Sequence, residues 1–182
     1  RIPMRFFTLL LAFLCSYTAY STATYPFHKV VVPVGPENPR NSEAAIIPLK
    51  NGFLLLGWTE FYAGNGADHG PARISGLLSS DGGKTWEGKY TLVENDGGCN
   101  VMEVNFLRLK DERIALFYCR KNSESADCRV MMRTSHDEGK TWSNAKQISP
   151  DKAYTGLTNG RCIRLKSGRI LLETWHNGDS YC

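Results

Sequence analysis

The chain has 182 residues, 42% of them hydrophobic, 22% charged and 11% aromatic, with 17 glycines and 8 prolines. That profile excludes a collagen-like or low-complexity chain and gives no ground for global disorder. The length suits one domain of roughly 100–200 residues. The net charge of +4 comes from 22 basic and 18 acidic residues, and Arg1 and Arg5 are the only charges among the first 23. No basic run or arm is present, so nothing points to nucleic acid.

Residues 1–23 read as a targeting signal. Met4 and Arg5 precede the apolar run Phe6-Phe7-Thr8-Leu9-Leu10-Leu11-Ala12-Phe13-Leu14, and small and polar residues follow. A short charged start, an apolar run of about nine and a small-residue exit describe a secretory signal peptide. The run is too short for a membrane span, which needs ~20 residues, so no stable membrane insertion is expected. Cleavage is expected after Ser21 or Ala23. Leu14 is too large for the residue that precedes a lipidated cysteine, which argues against a lipoprotein role for Cys15. The expected location is secreted, extracellular or periplasmic. A buried N-terminal helix is the alternative, and Arg1-Ile2-Pro3 reads as translated leader or an incomplete frame.

Six cysteines are present, and Cys15 falls in the leader. Cys99, Cys119, Cys128, Cys162 and Cys182 remain, an odd number in a compartment that permits disulfides. Cys119 and Cys128 flank a polar loop between two apolar runs, which makes a bridge closing a hairpin plausible. No Cys-x-x-Cys or histidine cluster has metal spacing, so no metal is expected.

The body repeats every 56 to 60 residues. Leu49-Lys-Asn-Gly-Phe-Leu-Leu-Leu, Leu109-Lys-Asp-Glu-Arg-Ile-Ala-Leu and Leu165-Lys-Ser-Gly-Arg-Ile-Leu-Leu are alike, at spacings of 60 and 56. Ser79-Ser-Asp-Gly-Gly-Lys-Thr-Trp86 returns 56 residues later as Ser135-His-Asp-Glu-Gly-Lys-Thr-Trp142. Two independent motifs on one period indicate a tandem architecture. Strand-like runs lie at 44–49, 53–61, 72–79 and 89–93, then at 101–109, 113–119, 128–134 and 146–148. A third unit starts with runs at 160–165 and 169–175. Asn51-Gly52 and Ser167-Gly168 are tight-hairpin dipeptides. Four antiparallel strands per repeat describe propeller blades, whereas stacked immunoglobulin-like domains need ~100 residues per unit. The expected fold is all-β, a β-propeller of four-stranded antiparallel blades, with about two and a half blades over residues 24–182. Residues 29–34 read as a stray strand completing a last blade. Closed rings have four to eight blades, so the chain reads as the N-terminal portion of a longer protein, inactive alone.

Ser-x-Asp-x-Gly-x-Thr-Trp, matched twice, resembles the Asp-box (BNR repeat) of sialidase-type propellers. Its acids are expected to be structural: Asp81 and Asp137 accept turn amide hydrogen bonds, Gly83 and Gly139 tolerate positive φ, and Trp86 and Trp142 pack between sheets. Strand alternation puts these turns and the Leu-Lys turns at one end of the ring. The opposite end carries residues 40–43, 60–71, 95–100, 120–127, 155–161 and 176–179, polar and glycine-rich loops of the kind on which sites are built.

On that face the chain is similar to the bacterial and animal sialidases (neuraminidases). The order Arg40, Asn51-Gly52, Asp68-His69-Gly70, Ser79–Trp86 is theirs, although Pro39-Arg40-Asn41-Ser42 departs from their Phe/Tyr-Arg-Ile-Pro. The resemblance implies an exo-sialidase, a six-bladed glycoside hydrolase removing terminal sialic acid, with a retaining mechanism and no cofactor. It implies that Arg40 holds the substrate carboxylate, for which a guanidinium fork is suited. It implies that Asp68 is the acid/base, with a tyrosine nucleophile beyond Cys182. His69, Glu103, Arg161 and His176 border the same end and are candidate substrate contacts, as is Asn105. Trp58, Trp175 and Tyr118 read as packing residues. The expected partner is a sialylated glycan or other carbohydrate. The alternatives are a non-catalytic propeller that only binds and a hydrolase for another glycan.

Overall fold

The computed structural model describes residues 28–150, 153–176 and 179–181. The leader therefore lies outside the described residues. Residues 31–182 form one compact unit.

No described residue is helical, and no helix among them is long and apolar enough to cross a membrane. The first sheet has the order β1-β2-β3-β4, from β1 (Arg40–Pro48), β2 (Leu54–Phe61), β3 (Ala72–Ser79) and β4 (Glu87–Val93). The second repeats it with β5 (Asn100–Arg108), β6 (Ile114–Lys121), β7 (Cys128–Ser135) and β8 (Lys146–Gln147). All pairings are antiparallel. The third unit is cut into shorter pieces: β9 (Thr155–Leu157) pairs with β12 (Thr174–His176), β12 with β13 (Asp179–Tyr181), and β10 (Ile163–Arg164) with β11 (Ile170–Leu171).

The expected strands of the first two units are present within a few residues of their bounds. The third is interrupted because its inner strand turns aside to bond β5. Gly160 N–H donates to the Val104 carbonyl at 3.2 Å, and Arg161 N–H donates to Asn105 Oδ1 at 2.8 Å. Residues 29–34 form no strand. Pro33, Pro36 and Pro39 remove three donors in quick succession, and Val31 and Val32 instead pack near Leu56, Trp58 and Leu77.

Alternation along the strands explains the stacking. In β6, Ile114, Leu116 and Tyr118 join a core shared with the first sheet, while Ala115, Phe117 and Cys119 join one shared with Leu157 of β9. A central strand buried on both faces must be apolar there, and β6 is so from Ile114 to Cys119. Gly57 of β2 marks a close approach between the first two sheets: a Cβ there would lie 2.7 Å from Phe106 Cζ.

The repeated motifs make repeated turns. The Leu-Lys hairpins are three-residue loops, longer than the two-residue loops that Asn-Gly favours. Leu49 N–H donates to the Phe53 carbonyl at 2.8 Å, Leu109 N–H to Arg113 at 2.9 Å and Leu165 N–H to Arg169 at 2.8 Å. Gly52, Glu112 and Gly168 take positive φ at the same position, as a bulged three-residue turn requires. In the other motif, Asp81 Oδ1 accepts from Lys84 and Thr85 N–H at 3.0 and 2.9 Å, and its Oδ2 from the Thr85 hydroxyl at 2.7 Å. Asp137 accepts likewise from Thr141 N–H at 2.9 Å and its hydroxyl at 2.5 Å. Trp142 stacks on Phe106 at 6.3 Å, between the first two sheets.

Cys119 and Cys128 are both buried and unbridged. Cys119 pairs with Val130 and Cys128 with Lys121, so the two cysteines are diagonal neighbours. Diagonal Cα atoms lie roughly 7–8 Å apart, beyond the usual reach of a disulfide.

Two outcomes follow. Gly57→Ala should destabilise the chain by about 1–3 kcal/mol through overpacking, and less when combined with Phe106→Leu, as read from urea midpoints. The Thr141 hydroxyl is the main cause holding the Asp137 carboxyl at about 2, below its ordinary 3.8. A depressed folded-state value contributes stability above pH 3.8 that disappears as pH falls through 2. Asp137→Asn should flatten the stability profile across that window, and unchanged acid unfolding would exclude this role.

Candidate functional site

The loop between β2 and β3 closes over the end of both complete blades. Its tip carries Asp68, whose carboxylate bridges two cations from different sheets. Arg40 Nη1, at the start of β1, lies 3.1 Å from Asp68 Oδ1, and Lys121 Nζ, at the end of β6, lies 3.1 Å from Oδ2. Asn100 fixes the loop backbone from the second sheet, its Nδ2 donating to the carbonyls of Asp68 at 3.0 Å and Gly70 at 2.9 Å. Arg40 also donates to Glu43 Oε1 at 3.3 Å and lies 4.5 Å over the Phe61 ring. Lys121 is almost wholly buried, with its ammonium 5.7 Å from the centre of the Tyr154 ring.

The electrostatics follow from these contacts. Burial alone would raise the Asp68 carboxyl, but the hydrogen bonds and charges of Lys121 and Arg40 outweigh it and hold the group below its usual value. Asp68 is therefore an ion at neutral pH. Glu103 behaves oppositely: burial pushes its carboxyl up to about 7, against the opposing pull of the Cys119 thiol and the Leu157 amide. Its Oε2 accepts the Leu157 N–H at 2.6 Å. Glu43 and Glu103 stand 60 residues apart at the same bulge of β1 and β5, and both have positive φ, 45° and 63°.

No family model and no curated protein matches the sequence. Solved structures do resemble its backbone. NanB sialidase from Streptococcus pneumoniae superposes with a TM-score of 0.65 at 12% identity, over 84% of this chain and 43% of that one. The leech intramolecular trans-sialidase, complexed with 2,7-anhydro-Neu5Ac, gives 0.64 at 12% identity, over 86% and 43%. A Hadza microbial sialidase gives 0.63 at 17% identity, over 76% and 32%. The fold is a sialidase-like β-propeller. The chain spans less than half the length of each of these proteins, and its sheets are not closed into a ring.

Within this propeller the residues singled out from sequence fall into three groups. Arg40 and Asp68 are in contact, whereas Glu103 accepts the Leu157 N–H and makes no ion pair among the described residues. Arg161 and His176 stand apart in the third unit. Arg161 is exposed and pairs with Glu173 at 3.1 Å, and His176 lines a cleft of about 380 Å³ with Pro150, Ala153, Thr155 and Thr174. His69 is exposed beside Asp68. Asn105 ties β5 to the third unit, donating to the Thr158 carbonyl at 3.2 Å. Trp58 is buried and donates to Asn41 at 2.8 Å, Tyr118 is buried, and Trp175 packs on Tyr154 at 5.4 Å.

Sequence reasoning missed Lys121 and Tyr154, which no motif marks. The 60-residue spacing could have flagged Glu43 as the partner of Glu103. Glu60, also missed, is buried on the other face of β2 and bonded to Arg73, Ser75 and Lys89, a structural ion.

The buried ammonium makes the Asp68 bridge asymmetric. Asp68→Ala strands the Lys121 charge and should cost about 1–3 kcal/mol, below the figure for a fully buried pair because Asp68 is half exposed. Lys121→Met should cost less than Asp68→Ala. Urea denaturation of both variants would show this order, and the reverse order would exclude the ion bridge as the anchor of the loop.

Proposed function

We propose that the chain belongs to a secreted glycan hydrolase of the exo-sialidase type, acting on terminal sialic acid. The observation that carries this reading is Arg40 at the head of the first inner strand, in contact with Asp68 from the following β2–β3 loop, on a sialidase-like scaffold. The same two residues stand in the order that the sialidase resemblance implies, ahead of an Asp-box turn at Ser79–Trp86. A third of the Arg40 side chain remains open to solvent, which leaves N–H groups for a substrate carboxylate. The leech enzyme's bound 2,7-anhydro-Neu5Ac supports a carbohydrate partner. In this reading Arg40 competes between its internal carboxylates and the ligand, and binding loosens the Asp68 loop.

One observation favours a second reading, a propeller that binds glycans without cleaving them. Asp68 is clamped as an ion, and a carboxylate held ionised by two cations is a poor proton donor.

Calorimetric titration of the protein at its natural length with 3′-sialyllactose and with lactose tests the shared core of both readings. Sialyllactose should bind more tightly than lactose. Arg40→Ala should weaken it by roughly 10- to 100-fold, the worth of one charge-assisted pair. Equal affinity for the two sugars would overturn the sialic acid assignment.

A further inference from the structure

In the exo-sialidase reading, on which this inference rests, Asp68 is the acid/base, and its carboxyl must meet a ligand in one orientation. We infer that Lys121 sets that orientation. It is a positioning residue, holding Asp68 by Oδ2 and by the Asp68 carbonyl so that Oδ1 is the oxygen presented to a ligand.

The grip is double. Lys121 Nζ lies 3.1 Å from Asp68 Oδ2 and donates to the Asp68 carbonyl at 3.3 Å. One ammonium thus holds both the side chain and the main chain of Asp68, and the Asn100 amide takes the same carbonyl at 3.0 Å. The Lys121 side chain is 1% exposed and that of Asp68 53%. Oδ2 therefore faces inward. The outward Oδ1 is met at 3.1 Å by Arg40, a third of which is open to solvent. A ligand carboxylate that draws Arg40 away frees Oδ1 and leaves Oδ2 on Lys121.

Lys121 is itself fixed by backbone. It closes β6, where it pairs with Asn100 on one side and Cys128 on the other, and its carbonyl accepts the Cys99 N–H at 2.8 Å. The loop ahead of β5 lies close on this strand end: a Cβ at Gly97 would stand 2.7 Å from the Lys121 carbonyl oxygen. A holding group on a rigid strand gives a loop carboxyl the precise placement that proton transfer needs.

The choice of a lysine is the third observation. Ala115, Phe117, Cys119 and Lys121 alternate onto one face of β6, and the first three are core. A buried ammonium at the end of that row carries a desolvation cost, and replacing buried ion pairs by apolar side chains is often neutral or stabilising. Stability gives no reason for a lysine here, whereas a charge aimed at a half-exposed carboxylate does. Its other side rests on the Tyr154 ring, 5.7 Å away. Among the described residues, the charged and titratable groups about the pair are Arg40 on β1 with Glu43 behind it, His69 next in the loop, Glu103 on β5 and Tyr154 ahead of β9. Of the charged groups, Arg40 and Lys121 bond the Asp68 carboxylate, so removing Lys121 raises that carboxyl.

The test measures kcat/KM against pH for the protein at its natural length. Its substrates are 3′-sialyllactose and a 4-methylumbelliferyl sialoside, whose leaving group needs a proton far less. At the optimum of each protein, Lys121→Met should lower the value on sialyllactose by roughly 10- to 100-fold and spare the aryl sialoside by comparison. Its alkaline limb should move to higher pH by about one pH unit, because one of two cations has gone. Lys121→Arg keeps the charge and should hold the limb near its wild-type place. A lysine that only packs would lower both substrates alike and move no limb; that result overturns the inference and leaves the glycan reading standing. Sialyllactose bound but not cleaved by the wild-type protein also overturns it, in favour of the binding propeller. Failure to bind either sialoside overturns the glycan reading itself. Should Lys121→Met not fold, carboxyl carbon NMR of Arg40→Ala decides, with Asp68→Asn assigning the resonance. An Asp68 that still titrates below its ordinary 3.8 upholds Lys121 as the hold, and a return to 3.8 overturns it.

Discussion

The molecule depends on burial of each central sheet on both of its faces. β6 sends alternate side chains into two separate cores, one shared with the preceding sheet and one with the following unit. No blade can hide its apolar surface alone, so order in each depends on its neighbours, as in other repeat architectures. The close approach of Gly57 to Phe106 measures how tightly the first two sheets are pressed together. Turns that recur with the period hold this stack in register. The second Asp-containing turn also reaches across the seam: Glu138 binds Arg108 at 2.6 and 2.8 Å and accepts the Lys50 amide at 2.8 Å.

The same stacking creates the chemistry at the opposite end. Each inner strand bulges at one position, and the bulge carries Glu43 in the first unit and Glu103 in the second. In the third unit, the corresponding stretch leaves its ladder to bond Val104 and Asn105. Bulges of this kind re-aim side chains and are common beside active sites. Equal backbone geometry with unequal neighbours places Glu43 beside the Arg40 guanidinium and Glu103 in a buried surround that raises its carboxyl. Asp68 sits between the cations of two sheets and fastens the β2–β3 loop to both. The loop is thus pinned by charge at its tip and by Asn100 along its backbone.

The repeat period, the strand runs, the turn acids and the division of the ring into a scaffold end and a loop end were all legible in the residue order. They depend on local alternation and on motifs a few residues long. Arg40 and Asp68 were legible as candidates because each stands at a recognisable place in its unit. Lys121 and Tyr154 were not: Lys121 ends a strand that reads as ordinary core, and its role exists only because Asp68 arrives from another sheet. The run at 29–34 misled because its valines suit a strand, while three nearby prolines deny it a ladder.

Sequence alone determined the all-β repeat, the places of the hairpins and the structural duty of Asp81 and Asp137, because those features are set by hydrogen bonds and alternation within a few residues. Only the tertiary structure decided which carboxyl is held below its usual range and which is pushed above it. That difference comes from burial around Glu103 and from Lys121, 53 positions from Asp68 in the chain. Burial and charge act through space, and stacking the sheets is what brings those groups within reach.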